Sequence, residues 1–241
     1  MKPAGAIRAL AVLLATLAAV LLLASGPGTR FGAWHWTTGL SLLRWAVYAG
    51  AAAALVCIVA LAVPRWRARP AILVIALAVA MGAAAVPLRF QQLARAVPPI
   101  HDISTDTQDP PRFVAVVPLR AGAPNPPGYA GGEVAAQQRK AYPDVQTLAL
   151  AVPVADAFAL AQRAASALEW EIVATDPAAG RIEATATTPW FGFKDDVVVR
   201  ILPAGTSGSR VDVRSKSRVG RGDAGANAAR IRAFLTMMRN A

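Results

Sequence analysis

Acidic residues are missing from the first 101 positions: all fourteen Asp and Glu lie from Asp102 onward, and every charge before them is Lys or Arg. That break separates a membrane-embedded half from a water-facing half. Cysteine is nearly missing too. The one thiol, Cys57, falls inside an apolar run, which excludes a disulfide framework and a cysteine metal site. Two histidines and no GxSxG elbow leave no Ser/His/Asp set to propose. Charged residues are only 16% of the chain against 55% apolar, an unusual balance for a soluble protein.

Three long uncharged stretches account for that balance. Ala9–Ala24 runs for 16 residues, Trp45–Val63 for 19 and Ala71–Leu88 for 18. A hydrocarbon core of ~30 Å takes roughly 20 apolar residues in a helix, so each is a candidate span. The expected spans are about 7–24, 45–63 and 71–88, with Pro87 at the end of the third, where a helix stops cheaply. The first stretch also has the form of a signal peptide, with Lys2 and Arg8 ahead of it and Leu23, Ala24 and Ser25 as a small-residue site.

The segment Pro64–Pro70 holds Arg65, Arg67 and Arg69, a cluster that favours the cytoplasmic side, and Lys2 and Arg8 put the N-terminus there as well. Trp34, Trp36 and Trp45 then mark the opposite interface, and three spans deliver everything after Phe90 outside the cytoplasm. In a bacterium that topology places the chain in the inner membrane with a periplasmic C-terminal domain, the expected location. The overall charge of +11 suggests nucleic acid at first sight, but residues 1–90 contribute eight basic groups and no acid. The remainder has 17 Lys/Arg against 14 acids, a spread of charge and not a phosphate-binding stripe. Nucleic acid is not expected as a partner.

Residues 91–141 read as a Pro/Gly-rich extended lead in which Phe113–Leu119 is the one strand-like run. Residues 142–241 read as a compact domain. Val145–Val152 suits a short strand. Val154, Phe158, Ala161, Ala165 and Leu168 then form one helix face. Strands are expected at Trp170–Thr175, Arg181–Thr188, Val197–Leu202 and Arg210–Arg218. In the last of these Val211 and Val213 point inward, while Arg210, Asp212, Arg214, Lys216 and Arg218 point to solvent. A helix follows from Asp223, a suitable N-cap, to Arg239 with Ala224, Ala228, Ile231, Leu235 and Met238 as its stripe. The order β-α-β-β-β-β-α describes an α+β domain, an antiparallel sheet with two helices on one face, laid out like a helix grip.

The stretch TPWFGFKDDVVVRI at Thr188–Ile201 is distinctive, as are VDVRSKSRVG at Val211–Gly220 and Asp223–Asn227 ahead of the last helix. Together they resemble the bacterial family called domain of unknown function 1499. The lead from Pro98 to Pro111 and the Tyr142–Asp144 step resemble its longer, membrane-anchored members. The resemblance covers roughly residues 98–240 and implies no assigned activity.

Candidate sites each have a plainer alternative. Gly220–Gly225 (GRGDAG) follows a strand and opens a helix as a dinucleotide fingerprint does. No second parallel strand or ribose-binding acid follows it, so a tight turn is the better reading. Asp195 and Asp196 would be an acid–base pair only if both faced one cleft, whereas strand neighbours face opposite ways. His101, Asp102, Asp106 and Asp109 offer N and O donors without the Ca²⁺-loop spacing, and no metal or cofactor is expected. Trp190, Phe191 and Phe193 would seal a core end, line an apolar pocket or dip into a bilayer. Arg214, Lys216, Arg218 and Arg221 follow one strand edge and would face water, anionic head groups or a partner. The reading these features favour is a non-catalytic domain that binds a lipid or an envelope protein through Trp190, Phe191, Phe193, Asp196, Arg214, Lys216, Arg218 and Arg221. The alternatives are a structural subunit of a larger membrane complex, docking through its Gly50–Ala54 and Gly82–Ala85 strips, and a small envelope hydrolase using Asp196 or His101 with Arg218.

Overall fold

A computed structural model describes residues 3–240, so Lys2 lies outside the described residues. The chain divides into two compact units, residues 1–93 with 189–192, and residues 94–188 with 193–241.

The first unit consists of α1 (Pro3–Arg30), α2 (Trp36–Ala62) and α3 (Pro70–Arg95), with a single 3₁₀ turn at Pro64–Trp66. All three helices are long and apolar enough to cross a membrane. Their mutual contacts are made by small side chains. Ala46, Gly50, Ala53, Cys57 and Ala60 repeat at steps of 4, 3, 4 and 3 along α2, and Leu73, Ala76, Ala80 and Ala83 at 3, 4 and 3 along α3. Small residues at this spacing let helix backbones approach where lipid gives no hydrophobic drive. Gly50 shows how close: a Cβ there would lie 2.8 Å from the Ala80 carbonyl oxygen. The helices outrun their expected ends. α1 continues through Pro27 and α3 through Pro87 to Arg95, since a proline in an apolar helix can be bridged by local adjustment instead of ending it.

The second unit is a six-stranded antiparallel sheet with three helices. Its strands are β1 (Asp102–Ser104), β2 (Leu148–Leu150), β3 (Glu171–Asp176), β4 (Arg181–Thr187), β5 (Lys194–Ala204) and β6 (Gly208–Ser217). Their order is β1-β6-β5-β4-β3, and β2 also pairs with β6, at Ser209–Val211, ahead of the Arg214–Lys216 stretch that pairs with β1. The helices are α4 (Gly132–Ala141), α5 (Val154–Ala167) and α6 (Ala226–Arg239). The turn into β4 depends on Gly180, in the left-handed region with φ 60°, where a Cβ would meet the Ile201 carbonyl oxygen at 2.0 Å. α5 and α6 cover one face of the sheet. Phe158, Ala161 and Ala165 from α5 and Ile231, Phe234 and Leu235 from α6 pack on Ile182, Ala184, Val197, Val199, Val211 and Val213. Trp170 stacks on Phe234 with ring centroids 5.2 Å apart. The space in which the helix-grip likeness would place an apolar ligand is occupied by this core.

The α+β architecture expected from the pattern is therefore the one present, with three differences in the lead, the first being α4, a helix at Gly132–Ala141 where extended chain was expected. Phe113–Leu119 is no strand but a set of turns with a 3₁₀ turn at Pro118–Arg120. Pro118 cannot donate to a ladder, and the amides of Val114, Ala115 and Val116 are bound to a side-chain carboxylate instead. Residues 102–104, conversely, enter the sheet as β1.

Candidate functional site

The second face of the sheet carries charge. Alternation along β4, β5, β6 and β1 turns Glu183, Thr185, Asp196, Arg200, Asp212, Arg214, Lys216 and Asp102 away from the helices. Register places Thr185, Asp196, Lys216 and Asp102 side by side across four strands. Residues 105–129 fold across this row as a strap, with Phe113 and Val116 buried against Val198 beneath them. Three of the side chains expected in solvent are thereby sealed, Asp212 at 0% exposed and Arg214 and Lys216 at 2%, with Asp196 beside them at 0%, whereas Arg210 stays exposed. The alternation was right and the exposure was not, because nothing periodic in the lead announces that it covers this face.

Sealed charges persist only when paired and hydrogen-bonded, and here each carboxylate has its own set. Asp196 accepts from Arg120 Nη1 at 2.6 Å, Arg218 Nη2 at 2.7 Å and Thr185 Oγ1 at 2.8 Å. Asp102 takes a two-pronged bond from Arg214, Nε at 2.8 Å and Nη2 at 2.9 Å, and a third from Lys216 Nζ at 2.9 Å. Asp212 is bound by Thr105, Thr147 and Arg200. Glu183 receives three backbone N–H bonds from Val114, Ala115 and Val116 at 2.9–3.0 Å, a carboxylate nest made by the strap itself. The strap is further held by Arg214 donating to the Pro111 and Pro127 carbonyls, by Lys216 donating to that of Gly128, and by the Arg214 guanidinium over the Phe113 ring at 4.7 Å.

These environments move protonation. Burial pushes the Lys216 ammonium below its ordinary value, with Asp102 opposing the shift. Burial pushes the Tyr129 phenol up to about 12, helped by Asp102, and its hydroxyl has no hydrogen-bond partner. At the strap's edge burial works against ionisation of Asp106, but the Asp109 and Gln108 amides and Arg200 outweigh it and hold its carboxyl below the usual range.

Asp195 faces the helices, where Arg230 Nη2 meets it at 2.7 Å beside the buried Asn227. The two aspartates thus serve opposite faces and share no cleft. His101, Asp102, Asp106 and Asp109 separate as well. Asp102 binds Arg214, Asp106 and Asp109 both bind Arg200 at 3.1 and 2.8 Å, and His101 Nδ1 lies 3.3 Å from the Arg221 carbonyl. In Gly220–Gly225 the Asp223 carboxylate accepts the Gly225 and Asn227 amides at 2.8 Å and so occupies the helix terminus itself, while Gly220 and Gly225 adopt left-handed φ. Trp190 and Phe191 belong to the segment 189–192 that groups with the helices, and Trp190 is 42% exposed. Phe193 opens the return into β5, its amide donating to Thr188 Oγ1 at 2.8 Å. Arg221 is exposed, and Arg218 is largely engaged by Asp196. Of the eight candidate residues, the structure joins Asp196 and Arg218 directly, brings Arg214 and Lys216 into the same charged layer, and groups Trp190 and Phe191 with the first unit. Arg120, Glu183, Asp102 and Asp212 complete that layer. Asp102 and Asp212 face Lys216 and Arg200 on neighbouring strands, a signal readable only once register is known, whereas Glu183 faces Val198 and Ala174 and Arg120 comes from the strap, so neither had one.

Three helices long and apolar enough to cross a membrane, followed by an α+β domain with a strapped, charged sheet face, define the class of mixed-fold protein to which the chain belongs. The profile of the family described as "Protein of unknown function (DUF1499)" matches residues 102–238, more than half of the chain, and the chain belongs to that family. The match starts at β1 and so includes the strap. No curated protein matches the chain.

Proposed function

We propose that the chain is a bacterial inner-membrane protein with a cytoplasmic N-terminus, and that its α+β domain is a periplasmic, non-catalytic module that binds a lipid or an envelope protein. The observation that carries this reading is the closed state of the charged layer. Polar groups do converge on Asp196, as a hydrolase reading requires, but that carboxylate is held by two guanidiniums and a hydroxyl and is 0% exposed. A carboxylate so paired has no lone pair left to take a proton from substrate or water. Apolar side chains do stay open on the outer side of the strap, where Val114, Val117 and Leu119 are 52%, 38% and 50% exposed. An apolar ridge framed by polar surface suits partner contact. Orientation rests on Arg65, Arg67 and Arg69 between α2 and α3.

A second reading, a structural subunit of a larger complex, draws on α3. Gly50 packs on the chain's own α3, but a Cβ at Gly82 would meet nothing within 4 Å, so that strip is open to a foreign helix. The test of the first reading is an alkaline phosphatase fused to the C-terminus, joined with native mass spectrometry of the purified full chain. An active fusion, and an adduct lost when Val117 and Leu119 become Asp, support it. An inactive fusion or a clean mass refutes it.

A further inference from the structure

We propose that the groove between α2 and α3 is a seat for one anionic glycerophospholipid, its phosphate held by Arg44. The inference rests on the membrane part of the reading above and is independent of which way the protein is inserted.

The groove has a volume of about 290 Å³ and lies between the N-terminal third of α2 and the C-terminal third of α3. Its composition is divided. Val47, Leu88 and Phe90 supply apolar wall, while Arg44, Tyr48 and Gln91 bring a guanidinium, a phenol and an amide to the same groove. Arg44, Val47 and Tyr48 share a face of α2 at i, i+3 and i+4, and Leu88 and Gln91 share one of α3 at i and i+3. Tyr48 is braced edge-on by Trp45 with ring centroids 5.7 Å apart, an aromatic pair of the kind that sits at head-group depth.

Charge selects the occupant. Arg44 is exposed, and its side chain makes one long bond, to Ser41 Oγ at 3.3 Å. No aspartate or glutamate exists anywhere in residues 1–101, so this unit holds no carboxylate that could neutralise Arg44. A guanidinium in the first turns of an apolar helix needs a counter-charge from its surroundings, and the phosphodiester of a membrane lipid offers two acceptor oxygens to its planar fork at that depth. An acyl chain laid along Val47, Leu88 and Phe90 satisfies the rest of the groove. A zwitterionic lipid offers the same phosphate with its own cation beside it, so the seat discriminates by net charge.

The test uses the full chain in nanodiscs of equal parts phosphatidylcholine and phosphatidylglycerol, released into a mass spectrometer under graded activation. One retained phosphatidylglycerol, favoured over phosphatidylcholine by about fivefold, is the expected result, one arginine's worth of attraction to anionic lipid. Arg44→Ala abolishes the preference, Arg44→Lys keeps part of it, and Arg89→Ala, outside the groove, leaves it intact. Equal retention of both lipids, or an undiminished preference in Arg44→Ala, overturns the proposal. Arg44 is exposed and supports no packing, and an unchanged melting temperature confirms that the variant is folded. Failure of the chain to enter the discs overturns the membrane reading and this seat with it, whereas an inactive phosphatase fusion overturns only the orientation.

Discussion

Tyr129 shows how a single side chain records the closing of the strap. Its ring lies 5.3 Å from the Arg214 guanidinium, and burial lifts its phenol to about 12. A group whose pKa is raised on folding favours the protonated form in the folded state. Its contribution is complete below the ordinary phenol value near 10 and is lost as pH rises through about 12. The full chain should therefore lose stability between about pH 10 and about pH 12, and Tyr129→Phe should flatten that part of the profile. Because the hydroxyl has no partner, the same variant should be neutral or slightly stabilising near pH 7. Melting temperatures measured across the alkaline range check both statements, and a Tyr129→Phe profile that parallels the parent would refute the first. The aspartate pair is instructive at this scale too. Period-two geometry alone was enough to separate Asp195 from Asp196, but their arginines, Arg230 and Arg120, come from 35 and 76 residues away and no local pattern points to them.

At the scale of elements, period was legible and cover was not. β4 to β6, α5 and α6 each turn one regular apolar face to the core, recognisable from the spacing of Ile, Val, Ala and Phe, while β3 is only partly buried. β1 has three residues and the strap has no repeating structure, so neither carries a period to detect. The strap's order comes from side chain to backbone bonds across long sequence separations, Glu183 to the Val114–Val116 amides being the densest of them. Glu183→Gln keeps the shape but removes the charge and one full acceptor. Bonds to a charged acceptor contribute about 1.5–3 kcal/mol, so local opening of the strap should become roughly 10- to 100-fold more frequent. Hydrogen exchange at Val114, Ala115 and Val116 reads this directly, while the central β5 amides, which open with the whole domain, should change far less. Equal acceleration in β5 would mean that the strap is no separate unit of opening.

For the molecule as a whole, charge is divided between the two halves of the chain. Residues 1–101 have nothing with which to pair a buried cation, and the domain beyond them buries five carboxylates against arginine and lysine. The two halves therefore suit different solvents, and the join between them is also where the family match begins, at Asp102. In the proposed topology the orienting signal is Arg65, Arg67 and Arg69. Arg67 Nε bonds the Leu61 carbonyl at 2.8 Å and so finishes α2, and the Arg65 guanidinium lies over the Trp66 ring at 5.3 Å. These bonds tie the turn together, while the positive charge itself is what resists translocation. Replacing all three arginines with glutamine should therefore leave the helices folded but split the population of inserted molecules between two orientations. Partial protease protection of the C-terminal domain in spheroplasts, where the parent is fully accessible, is the expected outcome. Full accessibility in the triple variant would place the topological signal elsewhere, with Arg8, which donates to the Ala68 carbonyl at 3.3 Å and belongs to the same basic end of the bundle, as the residue to neutralise next.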